Sequence, residues 1–155
     1  MSYSIIEKNI DVSDIKKSVM LNDYIDVQPV EGQFIPYHTG AINSYTGIKS
    51  VRVNASGNTT WKFSGSISQQ LGIAFFNSKL ALTDTKPQQF YMSGIDCNAL
   101  YAQYAGTSYI EKKGDKYILK DIPVQIPVGC EVVSFSVWSE SEMKIFATYQ
   151  KYGSM

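Results

Sequence analysis

The chain has 155 residues, 14 basic and 14 acidic, so it carries no formal net charge, and Arg52 is its only arginine. Nucleic-acid surfaces concentrate arginine and lysine against phosphates, so no nucleic-acid partner is expected. The length suits one domain with a real core, no run approaches the roughly 20 apolar residues of a membrane helix, and "MSYSIIEKNI" lacks the apolar stretch of a signal peptide. The expectation is a soluble protein made in the cytoplasm, with no membrane association. Eleven tyrosines within an aromatic share of 13%, against a charged share of 18%, favour strands and make all-β the leading class.

In chain order, "DVSDIKKSVML" comes first and sets Val12, Ile15 and Val19 at i, i+3 and i+7, with Asp11 as a cap and Asp14 three residues later. This spacing predicts an amphipathic helix too short to stand alone, so its stripe must dock, on its own domain or on another chain. "LNDYIDVQPVEG" reads as an extended connector broken by Pro29 and Gly32. Residues 1–32 are therefore expected to be an N-terminal attachment segment and linker, with Val12, Ile15 and Val19 as its attachment residues. Residues 33–155 are expected to form the β-sandwich domain.

Beyond Gly32, short apolar alternations are separated by turn residues. Val51 and Val53 share one face before an Asn-Ala-Ser-Gly-Asn turn, and Trp61 and Phe63 share the next. Leu71, Ile73 and Phe75 follow. "NALYAQYAG" sets Leu100, Ala102 and Tyr104 against Tyr101 and Gln103, which also predicts a strand. Pro123 and Pro127 confine "KYILKDIPVQIPVGC" to an edge or a crossing loop. Val133, Phe135 and Val137 alternate, break at Ser139-Glu140-Ser141-Glu142, and resume with Met143, Ile145 and Ala147. Eight or nine strands at this spacing predict an antiparallel β-sandwich of jelly-roll type. Its core is expected to hold Val51, Val53, Trp61, Phe63, Leu71, Ile73, Phe75, Val133, Phe135, Val137 and Ile145. Trp61 belongs there by its shared face with Phe63, rather than on a surface platform.

Residues suited to catalysis are scarce. His38, the single histidine, would have to serve as the base for any serine or cysteine nucleophile, and in "FIPYHTG" it reads as a loop residue. Cys97 and Cys130 share no metal-ligand spacing and read as two reduced thiols. Carboxylates such as Asp84, Asp96, Asp115, Asp121, Glu140 and Glu142 fall in loops with no pattern setting a separation. Phosphate-cradling glycine loops are missing. No enzyme, cofactor or metal is expected. Sugar recognition needs flat aromatic faces beside amides and hydroxyls, and Trp138, Tyr101 and Tyr109 are the candidate ligand or partner surface.

The run "GIKSVRVNASGNTTWKFSGSISQQLGIAFFNSKLAL" resembles a pattern in small appendage domains of tailed bacteriophages. A strand ends in a polar turn, an aromatic strand closes on Ser-Gly, and a strand ending "AFF" meets an Asn-Ser turn. The matching residues are Val51, Val53, Trp61, Phe63, Ser64, Gly65, Ala74, Phe75, Phe76, Asn77 and Ser78. "EVVSFSVWSESEMKIFATY" looks like the closing strand pair of such a jelly roll. Where the pattern has proline-glycine, this chain has Ala55-Ser56-Gly57-Asn58, and no ligand residue carries across. Such domains occur in fibre, head-decoration and baseplate proteins and also resemble carbohydrate-binding modules. The resemblance implies a structural protein of the virion (head fibre, decoration or auxiliary capsid protein), partnered by capsid or tail proteins. It also implies a homo-oligomer, commonly a trimer, with weak adhesion to host cell-surface glycans as an added role. The alternative is a free carbohydrate-binding module or a tail receptor-binding protein.

Overall fold

The computed structural model describes residues 18–152. Among them run ten strands: β1 (Ser18–Tyr24), β2 (Val30–Phe34), β3 (Asn43–Asn54), β4 (Thr59–Ile67), β5 (Gly72–Phe76), β6 (Tyr91–Asp96), β7 (Ile110–Lys113), β8 (Lys116–Ile126), β9 (Val132–Trp138) and β10 (Lys144–Tyr152). Two 3₁₀ turns, Lys79–Leu82 and Pro87–Phe90, lie between β5 and β6, and a helix α1 (Cys97–Tyr104) follows β6. One sheet has the order β2-β3-β9-β5-β6 and the other β1-β10-β4-β8-β7. The pairings within both are antiparallel. The chain is thus an all-β sandwich, as its alternation predicts.

The alternation fixes which face each strand buries. In β4, Trp61, Phe63, Gly65 and Ile67 are buried, while Thr60 and Lys62 on either side of Trp61 are exposed. Phe135 of β9 stacks on Phe63 at 4.5 Å between centroids and on Trp61 at 6.4 Å, with interplanar angles of 28° and 18°. Because β9 and β4 belong to different sheets, this stack joins the two layers. Trp61 is fully buried and its indole Nε1 donates to the Thr148 carbonyl at 2.8 Å, so its one polar atom is satisfied inside the core. Of the expected core residues, Val53 alone is half-buried, and it still packs against the same cluster.

β9 is buried on both faces from Val132 to Val137. Its outer side lies under a second, smaller apolar cluster of Ile35, Ala74, Phe76, Ala81 and Val132. On that side Ser136 meets backbone, its Oγ accepting from Ile35 N at 3.0 Å, while Ser134 Oγ is buried with no partner among the described residues. At Gly94 a side chain would collide with the Tyr37 carbonyl, so glycine lets the turn around residue 37 lie directly on β6. Tyr91 Oη donates to that same carbonyl at 2.8 Å.

Three expectations need correction. First, the boundary at residue 32 falls inside β2, and the region assigned to an attachment helix and connector supplies two strands of the sandwich. Val19, expected on a helix, lies in β1 and pairs with Lys151, while Tyr24 pairs with Phe146. The physical reason is that β10 offers an edge from Phe146 to Tyr152 whose backbone groups a strand here pairs, whereas a helix would leave that edge open and is too short to stand alone. Val12 and Ile15 lie outside the described residues.

Second, "NALYAQY" is helical, not extended. Asp96 caps it, its carboxylate accepting from Ala99 N at 2.6 Å, and Cys97, Leu100, Tyr101 and Tyr104 recur at i, i+3, i+4 and i+7. Its alanines, leucine and glutamine suit that state.

Third, β8 is not an edge strand throughout, since it lies between β4 and β7. However, β7 pairs only with Lys116 to Leu119, and Pro123 sits beyond it, facing Lys62 of β4 on one side alone. The missing N–H therefore costs no ladder bond on the β7 side.

Two outcomes test this architecture. Phe135→Ala should lower stability by about 3–5 kcal/mol, seen as a lower urea midpoint, because it empties the centre of the stack. Deleting residues 1–28 should abolish cooperative unfolding or drive self-association in gel filtration, because it removes β1 and bares the β10 edge.

Candidate ligand site at one end of the sandwich

Trp138 ends β9 opposite Ile48 of β3. Its ring is half-buried and packs against the main core instead of projecting outward. Lys116, which opens β8, sets its Nζ 4.8 Å from the centre of that ring and 2.8 Å from Glu140 Oε1. The hydrogen bond from Lys116 holds the Glu140 carboxyl below its ordinary pKa. What this interaction contributes is therefore present at neutral pH and is lost as the pH falls through that lowered value. The turn after Trp138 is tied down as well. Ser139 N donates to Gly47 O at 2.8 Å, Ser139 Oγ to Glu31 Oε1 at 2.6 Å, and Ser141 N to Trp138 O at 3.0 Å.

Beside this ring lies a cavity of about 180 Å³. Its buried lining comes from Phe34, Ile48, Ser68 and Leu71, and its exposed lining from Tyr45, Gln69 and Gln70. Ser68 to Leu71 form a tight turn closed by Leu71 N donating to Ser68 O at 2.8 Å. Gln70 holds φ at 72°, a left-handed conformation that costs a non-glycine residue energy and that is enriched at ligand sites. Trp138, which lines the same cavity, has its indole Nε1 buried with no acceptor among the described residues. A buried donor left unmatched is unusual enough to need an explanation.

The other two surface candidates are spread around the same end. Tyr101 on α1 is half-buried against Tyr117, 5.1 Å between centroids, and Lys112 Nζ sits 5.7 Å from both rings. Tyr117 Oη donates to Asn98 Oδ1 at 3.2 Å. Tyr117 and Lys112 line a shallower hollow of about 380 Å³ that shares Gln69 with the Trp138 cavity. Tyr101 and Trp138 are thus linked through neighbouring residues Tyr117 and Lys116, whereas Tyr109 meets Tyr104 edge-to-face at 5.5 Å and stands apart from both hollows. Sequence reasoning missed Tyr45, Gln69, Gln70 and Lys116. The one available signal was the polar "SISQQLG" between two apolar runs.

At the opposite end of β3 a larger hollow of about 560 Å³ is lined by Tyr24, Arg52, Lys79 and Tyr149, with Trp61 among its walls. Here Arg52 serves the fold. Its Nη1 donates to the carbonyls of Ala81 at 2.9 Å and Asp84 at 2.8 Å, pinning the 3₁₀ turns over the second cluster, and burial lowers its pKa. His38 is exposed in a turn with its ring 4.9 Å from Tyr37. Cys97 and Cys130 are both free and buried, near opposite ends of β5, and burial pushes both thiols up. Among the described residues no three histidine, cysteine or carboxylate side chains gather in a metal-holding group.

Arg52→Lys should cost about 1–2 kcal/mol in urea unfolding and speed amide exchange across residues 77–90, because the shorter lysine does not carry its nitrogen to the place from which Nη1 reaches both carbonyls. No protein-family model, curated protein or solved structure matches this chain.

Proposed function

We propose that this chain is a non-enzymatic structural protein of a tailed-phage particle, a head fibre, decoration or auxiliary capsid protein, with weak adhesion to host-surface glycans. The observation that supports this reading is the strand order. β1-β10-β4-β8 face β3-β9-β5-β6, and six of the nine connections pass from one sheet to the other. That arrangement fits a jelly roll of eight strands, with β2 and β7 added at the edges, an architecture shared by viral capsid and lectin domains. The run of residues 47–82 that carries the resemblance covers β4, β5 and the first of the two 3₁₀ turns that Arg52 pins. Because residues 18–32 are built into the sandwich, attachment to the particle is not assigned to a separable segment ending at residue 32. Association with copies of itself, as a trimer, belongs to this proposal through the resemblance alone.

A free carbohydrate-binding module is the second reading, favoured by the neutral, amide-lined cavity at Trp138. A mass-spectrometric inventory of purified particles separates the two readings. The protein should be found there at a fixed copy number per capsid. Its presence in the lysate but absence from purified particles would overturn the virion reading.

A further inference from the structure

We propose that the cavity between Trp138 and the Ser68–Leu71 turn binds a single neutral sugar residue of a surface glycan. This rests on the adhesion role in the reading above and gives it a site and a ligand class. The lining contains no ionisable carboxylate, ammonium or guanidinium group. The charges beside the Trp138 ring, Lys116 and Glu140, are paired with each other at 2.8 Å. An anionic or cationic ligand would find no opposite charge to offset its lost hydration, whereas a polyhydroxylated neutral ring would find matching donors and acceptors.

Three features of the cavity correspond to parts of a sugar. The Trp138 indole N–H is buried without an acceptor among the described residues, and a small turn of its ring on binding brings it to a sugar hydroxyl or ring oxygen. The side-chain amides of Gln69 and Gln70 each offer both a donor and an acceptor, and the turn that carries them is closed by its own backbone hydrogen bond. Tyr45, 58% exposed, provides the open aromatic face for sugar C–H groups, a role Trp138 cannot fill with Lys116 over its ring. The volume of about 180 Å³ lies below the roughly 300 Å³ at which pockets begin to take drug-sized ligands, so it limits the occupant to one ring, with the rest of a glycan outside. The larger hollow at the other end is a weaker candidate because the Arg52 guanidinium is already committed to two backbone carbonyls there.

The test uses the full chain with methyl glycosides of glucose, galactose, mannose and N-acetylglucosamine, followed by saturation-transfer NMR and by the two indole N–H signals. At least one glycoside should bind at millimolar concentration and shift the Trp138 indole signal while leaving that of Trp61 in place. Trp138→Phe, which keeps a ring but loses the N–H, and Tyr45→Ala on the exposed wall should each weaken binding about tenfold or more with the unfolding midpoint retained. That factor corresponds to about 1.4 kcal/mol. Binding by none of the four, preference for glucuronate over all of them, or unchanged binding in both variants would overturn the proposal. Sugar binding by a protein absent from particles would sink the virion reading and keep this site. Presence in particles without sugar binding would do the reverse.

Discussion

The stack of Phe63, Phe135 and Trp61 is the contact on which the rest of the molecule depends. A sandwich is held mainly by what its two inner faces share, and here the central strands β4 and β9 meet through three large rings rather than through aliphatic contacts alone. All three side chains are fully buried. With the middle fixed in this way, the ends of the strands can differ. At one end β3 and β9 run out to Asn54 and Val132 beside the Arg52 hollow, and at the other to Ile48 and Trp138.

β9 also explains why the site lies at one end. From Val132 to Val137 it is covered on both faces, by the main core and by the smaller cluster under the 3₁₀ turns. Trp138 is the first residue past that double cover, and its ring folds over the edge of the core rather than into it. Lys116 and Glu140 close one side of the ring, and the Ser68–Leu71 turn stands across a gap from it. The cavity is what remains when a rigid sandwich ends in turns that are each fixed by their own hydrogen bonds. For the sugar proposed above, binding at such a site would require little ordering of the protein.

Two polar residues on covered faces follow the same logic. Ser136 sits beneath backbone that it hydrogen-bonds, and Arg52 reaches across to carbonyls of the turn above it. Each lets an irregular segment lie on a sheet face without stranding its peptide groups. The second apolar cluster is small and would not hold those segments by burial alone, so the arginine shares the work with Phe76 and Ala81.

The sequence by itself determined the class of fold and nearly all of the central core, because alternation with a period of two is a local property and decides which side chains share a face. Trp61, Phe63, Phe135 and Val137 could be placed inside from that pattern alone. Even the Phe-Ser-Val-Trp run was legible up to its last residue. Only the tertiary structure decided that Ser18–Tyr24 is a strand, since its pairing partner, β10, lies more than a hundred residues further along the chain. The helix Cys97–Tyr104, by contrast, lay within reach of the sequence, because its Asp96 cap and the helical spacing of Cys97, Leu100, Tyr101 and Tyr104 are local signals with which the alternation of Leu100, Ala102 and Tyr104 competes. The cavity at Trp138 was hidden for the same reason as β1. Its walls come from β2, β3, the turn before β5 and the end of β9, which meet only when β2, β3 and β9 pair across long stretches of chain in one sheet and the β4–β5 turn closes beside them.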